Sequence, residues 1–149
     1  MGVAPLRAQV ASRLSPRLTD AGTDKPSGPS LALYAGIAHG YDGGTGTAFS
    51  AQLELGRVGP VRGLMGIVAG KVMGSAEAGL LVQPDPEART SLYVAASWFA
   101  HDFEDGGTGI AFHVGADVAQ TRELALRLEG RAYMARQTAL AALIGIAFR

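Results

Sequence analysis

Cysteine is absent from the 149 residues, which rules out both a disulfide frame and a thiolate metal site. Charge is scarce at 17%, against about a quarter in an ordinary soluble domain. Thirteen basic and thirteen acidic residues cancel, so no net field points to nucleic acid or to an acidic partner. Long apolar runs are missing as well. The longest, Ala139 to Phe148, is ten residues, where a spanning helix needs about twenty. Ten is instead the length of a tilted spanning strand. Aromatics are few, with one Trp, four Tyr and five Phe. Glycine, in contrast, is abundant at 21 residues. Many glycines and few charges suit a sheet whose surface is not fully bathed in water.

Residues 1–30 hold Pro16, Pro26 and Pro29 among Ser, Thr, Gly and Asp, with no sustained periodicity. This composition predicts a disordered N-terminal arm. Ala4-Pro5-Leu6-Arg7-Ala8-Gln9 reads like the tail of an export signal, with small Ala8 as a cleavage point, so the arm is also read as the remnant of a signal peptide.

From residue 31 to 149 the pattern changes to short runs of alternating character. In Thr47–Gly56, Phe49, Ala51, Leu53 and Leu55 share one face, and Ser50, Gln52 and Glu54 the other. Such alternation predicts a strand between two different environments. Ile110, Phe112, Val114, Ala116 and Val118 likewise oppose His113 and Asp117. Leu124, Leu126 and Leu128 oppose Arg127, Glu129 and Arg131. The last run sets Leu140, Ala142, Ile144, Ile146 and Phe148 against small Ala141, Gly145 and Ala147. Weaker runs at 31–39, 62–73, 75–83 and 90–101 bring the count to eight; the faces of 62–73 and 90–101 cannot be assigned. Tyr41–Gly46 and His101–Gly109 are Gly/Asp-rich loops, whereas Arg57–Val61, Pro84–Ala88 and Ala119–Glu123 read as tighter turns.

The chain also resembles itself. Asp-Gly-Gly-Thr-Gly-x-Ala-Phe begins at Asp42 and again at Asp105, each copy preceded by an Ala-His pair, and Glu54 matches Asp117 at the same offset of 63. This predicts two duplicated four-strand halves closed into one eight-stranded antiparallel up-and-down barrel.

Alternation alone does not say which face looks inward. A soluble barrel carrying an apolar ligand would place its apolar face inside, and a membrane barrel would place it outside. The polar face is nearly balanced, with Glu54, Glu77, Asp117 and Glu129 against Lys71, Arg127 and Arg131. It is also rich in Ala and Gly, which fit a cramped lumen. Both features favour a transmembrane β-barrel with a lumen charge network that includes His113. At this point Gly109–Phe148 resembles the C-terminal strands of the small outer-membrane β-barrel family, of the type seen in the membrane domain of outer membrane protein A. The resemblance rests on Gly109-x-x-Phe112-His113-Val114-Gly115-Ala116-Asp117-Val118 and Leu124-x-Leu126-Arg127-Leu128-Glu129-x-Arg131. It implies a bacterial outer-membrane location, membrane lipid as surroundings, and recognition of the closing strand by the barrel assembly machinery through Phe148, although Arg149 follows that Phe here.

Three chemical possibilities follow. His39 and His101, each before an acidic loop with Asp42 or Asp105, read as equivalent rim residues that could hold a cation or ligand. Duplication carrying polar residues along is the simpler account. His113 and Asp117 face the lumen four residues apart, and a catalytic pair would need a nucleophile in reach. Lipid A-modifying barrel enzymes of this size carry a His and a Ser close together on one strand, but position 115 here is Gly115. Neither catalysis, a cofactor nor a metal is therefore expected, and a wide pore is excluded by the long side chains inside. The expected role is structural or surface-interacting.

Overall fold

The computed structural model describes residues 28–101, 106–118 and 120–149, so the N-terminal arm lies almost wholly outside the described residues. Eight strands form one closed antiparallel barrel in chain order: β1 (Ser30–His39), β2 (Thr45–Val58), β3 (Val61–Gly70), β4 (Gly74–Val82), β5 (Ser91–His101), β6 (Gly107–Val118), β7 (Leu124–Met134) and β8 (Thr138–Phe148). β1 and β8 pair from Leu31–Phe148 to His39–Leu140 and close the ring. Closure leaves no sheet edge unpaired, so every strand satisfies its backbone groups on both sides.

The connections β1–β2, β3–β4, β5–β6 and β7–β8 lie at one end, called here the loop end. The two termini share the other end with β2–β3, β4–β5 and β6–β7. The turns are not uniformly tight at that end: Gly59-Pro60 joins β2 to β3 in two residues, while eight, 83–90, separate β4 from β5.

The side chains alternate as the sequence requires, and the apolar set points outward. Phe49, Leu53, Phe112, Leu126, Leu128, Ile144 and Ile146 are exposed, whereas Glu54, Asp117 and Arg127 are at most 1% exposed. This is the inverse of a barrel built to hold an apolar ligand. The strands without clean alternation now have faces. Met65, Ile67 and Trp98 look outward and Phe99 inward. Their pattern is blurred because the lumen side of β3 carries Leu64 and Val68, and that of β5 carries Tyr93, Ala95 and Phe99, so both faces are apolar.

The repeated motif does not map cleanly onto this arrangement. Glu54 and Asp117 both face the lumen, and each meets an arginine across its hairpin, Arg62 and Arg127 respectively. In β1 and β5, however, the matched residues fall on opposite faces: Ile37 looks out and Phe99 looks in. His39 and His101 are therefore not equivalent rim positions. His39 lies on the outer face, and His101 lies on the lumen side.

Candidate functional site

The lumen is filled in layers. At its centre, three strands deliver the chemistry, because alternate positions of β4, β6 and β7 bring Glu77, His113, Glu129 and Arg131 to the same depth. His113 Nε2 is 3.1 Å from Glu77 Oε2, and His113 Nδ1 is 3.0 Å from Glu129 Oε1. Arg131 donates from Nη1 to Glu77 Oε1 at 3.0 Å and to Ser50 Oγ at 2.9 Å, and from Nη2 to Gln52 Oε1 at 3.0 Å. Its Nε also meets Glu129. Nearer the termini, Arg127 bridges Glu54 and Asp117, and Arg62 donates to Glu54 at 2.8 Å. Gln83 donates to Asp117 at 2.9 Å and Ser30 to Glu54 at 3.0 Å. Arg149 reaches back into this end, onto Asp117 and Gln120.

Two tyrosines complete the centre. Tyr34 donates to Glu129 Oε2 at 3.1 Å, and Tyr93 donates to the same oxygen. Each ring lies against a glycine on the neighbouring strand. A Cβ at Gly115 would stand 2.3 Å from Tyr93 Cζ, and one at Gly145 would stand 2.5 Å from Tyr34 Cδ1. A guanidinium then covers each ring, Arg127 at 4.8 Å from the Tyr93 centroid and Arg131 at 5.0 Å from that of Tyr34. Glycine, phenol and arginine thus stack in that order, and the charges are held by cation–π contact as well as by ion pairing. All four tyrosines of the chain turn toward the lumen or its mouth and none toward the outer belt.

Seven of the eight residues expected in the lumen lie there: Glu54, Glu77, His113, Asp117, Arg127, Glu129 and Arg131. Lys71 does not. β3 ends at Gly70, and Lys71 is exposed in the turn that follows, because the apolar run continues past the strand and hides its end. Arg62, paired with Glu54, supplies the third lumen cation in place of Lys71. Of the expected rim set, His39 and His101 look to opposite faces. His39 contacts Thr45 Oγ1 at 3.1 Å, Asp42 caps its own turn by accepting from the Gly44 amide at 2.9 Å, and Asp105 lies outside the described residues. Among the described residues no group of His, Asp and Glu is arranged to hold a metal ion.

One arrangement has the outline of a nucleophilic relay: Ser97 Oγ is 3.2 Å from His113 Nε2, with Glu129 on Nδ1. The hydrogens are directed elsewhere. Ser97 donates to Glu77 Oε2 at 3.0 Å, and Nε2 faces the same acceptor-only carboxylate, so Nε2 must carry a proton and cannot accept one from Ser97. Ser97 is also buried, and these contacts join β4, β5, β6 and β7 across the lumen.

Toward the loop end the filling becomes aromatic. Tyr133 meets Phe99 edge-on at 5.2 Å between centroids, and Tyr41, from the β1–β2 connection, lies flat on His101 at 4.7 Å. Burial, and after it the Glu77 carboxylate, pushes the Tyr41 hydroxyl up to about 12, which keeps it protonated.

No protein-family model matches the chain, and no curated protein matches it in sequence. Solved structures do match in fold. The chain is similar to the crystal structure of Neisserial surface protein A with a TM-score of 0.63, at 14% identity, covering 80% of this chain and 95% of that one. It is similar as well to de novo designed transmembrane β-barrels, with a TM-score of 0.60, 18% identity, and coverage of 80% and 93%. At these identities the likeness is one of fold.

Proposed function

We propose that the protein is a bacterial outer-membrane β-barrel of the outer membrane protein A membrane-domain type, with a structural or surface-interaction role and neither catalysis nor a wide pore. One observation carries this reading: Leu, Ile, Val and Phe side chains cover the outside while the acids and arginines of the lumen network are buried inside. In water the exposed belt would drive association. Against acyl chains it is the favoured surface, and the acids and arginines of the lumen pair with one another. The likeness to a surface protein and to designed transmembrane barrels supports the same reading. The loop end then faces outward, both termini lie on the inner side, and the assembly machinery reads the closing strand through Phe148.

Single cysteines at Leu53, Leu126 and Ile144 test it, since the chain has none of its own. Reconstituted in vesicles, these positions should resist polar thiol reagents and take up lipid-soluble ones. The folded protein should also need detergent and migrate differently on gels before and after boiling. Monodisperse protein in plain buffer, with the three positions open to polar reagents, would overturn the membrane reading.

A further inference from the structure

The ion pairs of the lumen balance in one layer and fall short in the other. Nearer the termini, Glu54 and Asp117 face Arg62 and Arg127, and Arg149 reaches Asp117 as well, so this layer has cations enough. At the centre two carboxylates, Glu77 and Glu129, share a single guanidinium, that of Arg131. Both acids are at most 5% exposed. A second buried carboxylate without a cation of its own is costly. The other groups at this depth bring no positive charge. Tyr34 of β1 and Tyr93 of β5 donate to Glu129, Arg131 donates to Tyr133 of β7, and Ser50 and Gln52 of β2 accept from Arg131. Only His113 is left.

Both nitrogens of the His113 ring point at acids, Nδ1 at Glu129 Oε1 and Nε2 at Glu77 Oε2. A neutral imidazole carries one hydrogen, so one nitrogen would turn a lone pair on a carboxylate. The extra proton does not sit on the acids instead. Glu129 already accepts from Arg131 and two phenols, and Glu77 from Arg131 and Ser97, which favours the charged form of each. We propose that His113 is held as an imidazolium in the folded protein, the second cation of the central layer, and that the barrel closes by binding a proton there. The layer is then a pH-sensitive lock, shut at neutral pH and loosened when alkali removes that proton and leaves one buried charge uncompensated. In the unfolded chain a histidine loses its proton near about pH 6.5. The stability that His113 contributes is therefore whole below that value and declines above it, until the folded ring gives up its proton too.

Nuclear magnetic resonance reads the proton directly. In folded wild-type protein with isotope-labelled histidine nitrogens, at about pH 8.5, roughly two units above the free side chain's value, both His113 nitrogens should give the signal of a protonated nitrogen. Exposed His39 should give that of a neutral ring. The variants His39→Gln and His101→Gln assign the three signals. A His113 ring with one bare nitrogen at that pH would overturn the proposal. Linkage supplies the second measurement. With His39→Gln and His101→Gln combined, His113 is the last of the three histidines. The folding equilibrium constant, read from the gel bands in urea, should then fall by up to about tenfold per pH unit between about pH 7 and 9. Adding Glu77→Gln makes the layer neutral without the extra proton, so the slope should flatten and Nε2 should become a bare nitrogen accepting from the new amide. A flat profile before that change, or an unaltered slope after it, would show that charge balance does not hold the proton and would sink the lock.

Discussion

Gly115 is a residue where the lumen leaves no room for a side chain. Its missing side chain is the space in which the Tyr93 ring lies, and a methyl there would meet Tyr93 Cζ, Oη and Cε1 at 2.3 to 2.8 Å. Gly115→Ala must therefore push Tyr93 from Glu129 and from beneath Arg127. We expect a loss of about 1–3 kcal/mol, read as a lower urea midpoint of the folded gel band. Arg127→Met is expected to cost more, about 3–5 kcal/mol, because it leaves Glu54 and Asp117 buried with too few partners. Adding Glu54→Gln and Asp117→Asn should recover much of that loss, since the penalty comes from uncompensated charge and not from the missing contact. If the triple variant is no better than the single one, the pairs are not what holds this layer. The sequence shows the acids and arginines of this network by their alternation with leucines. It does not show the tyrosines, since a phenol reads as apolar until its hydroxyl is seen to find a carboxylate.

The strands divide by how different their two sides are. β2, β6, β7 and β8 are legible because lipid and lumen ask for opposite side chains along most of their length. β3 and β5 are not, because Leu64, Val68 and Phe99 put apolar side chains on the lumen face, beside Glu54, Ser50 and Glu77 of the neighbouring strands. The same cause hid the end of β3 and carried Lys71 into the expected network. The repeat misled in a related way: the match of Ala38-His39 to Ala100-His101 ignores the face each strand presents. Depth along a strand has its own consequence. Leu128 lies mid-strand in β7 and Leu124 at its terminal end, both facing out. Leu128→Arg should destabilise the reconstituted protein by about 2–4 kcal/mol and Leu124→Arg by less than about 1, measured by unfolding from vesicles. Equal costs at both positions would argue that the belt does not span a bilayer.

The molecule as a whole is a ring whose contents come from every part of the chain. Eight strands leave room for side chains only, and here an aromatic layer sits above an ionic one. We expect either alone to block the axis, so planar-bilayer recordings should show no steady current for the protein or for Phe99→Ala. Current should appear when Phe99→Ala is combined with Arg131→Ala and Tyr34→Ala, which empties the centre as well. The closed ring was legible from the even number of strands. The contents were not, because pairings such as Tyr34 with Glu129 join residues 95 apart in sequence. That span bears on biogenesis. Arg127 has both its acids only when β6 pairs beside it and β2 faces it across the lumen, and Tyr34 on β1 reaches Glu129 only when the first strand has met the last. An unfinished sheet would thus present bare ions on the side that must turn away from fatty acid tails. Electrostatics then acts as a timer on insertion, holding the nascent sheet at the interface until its first and last strands zip together.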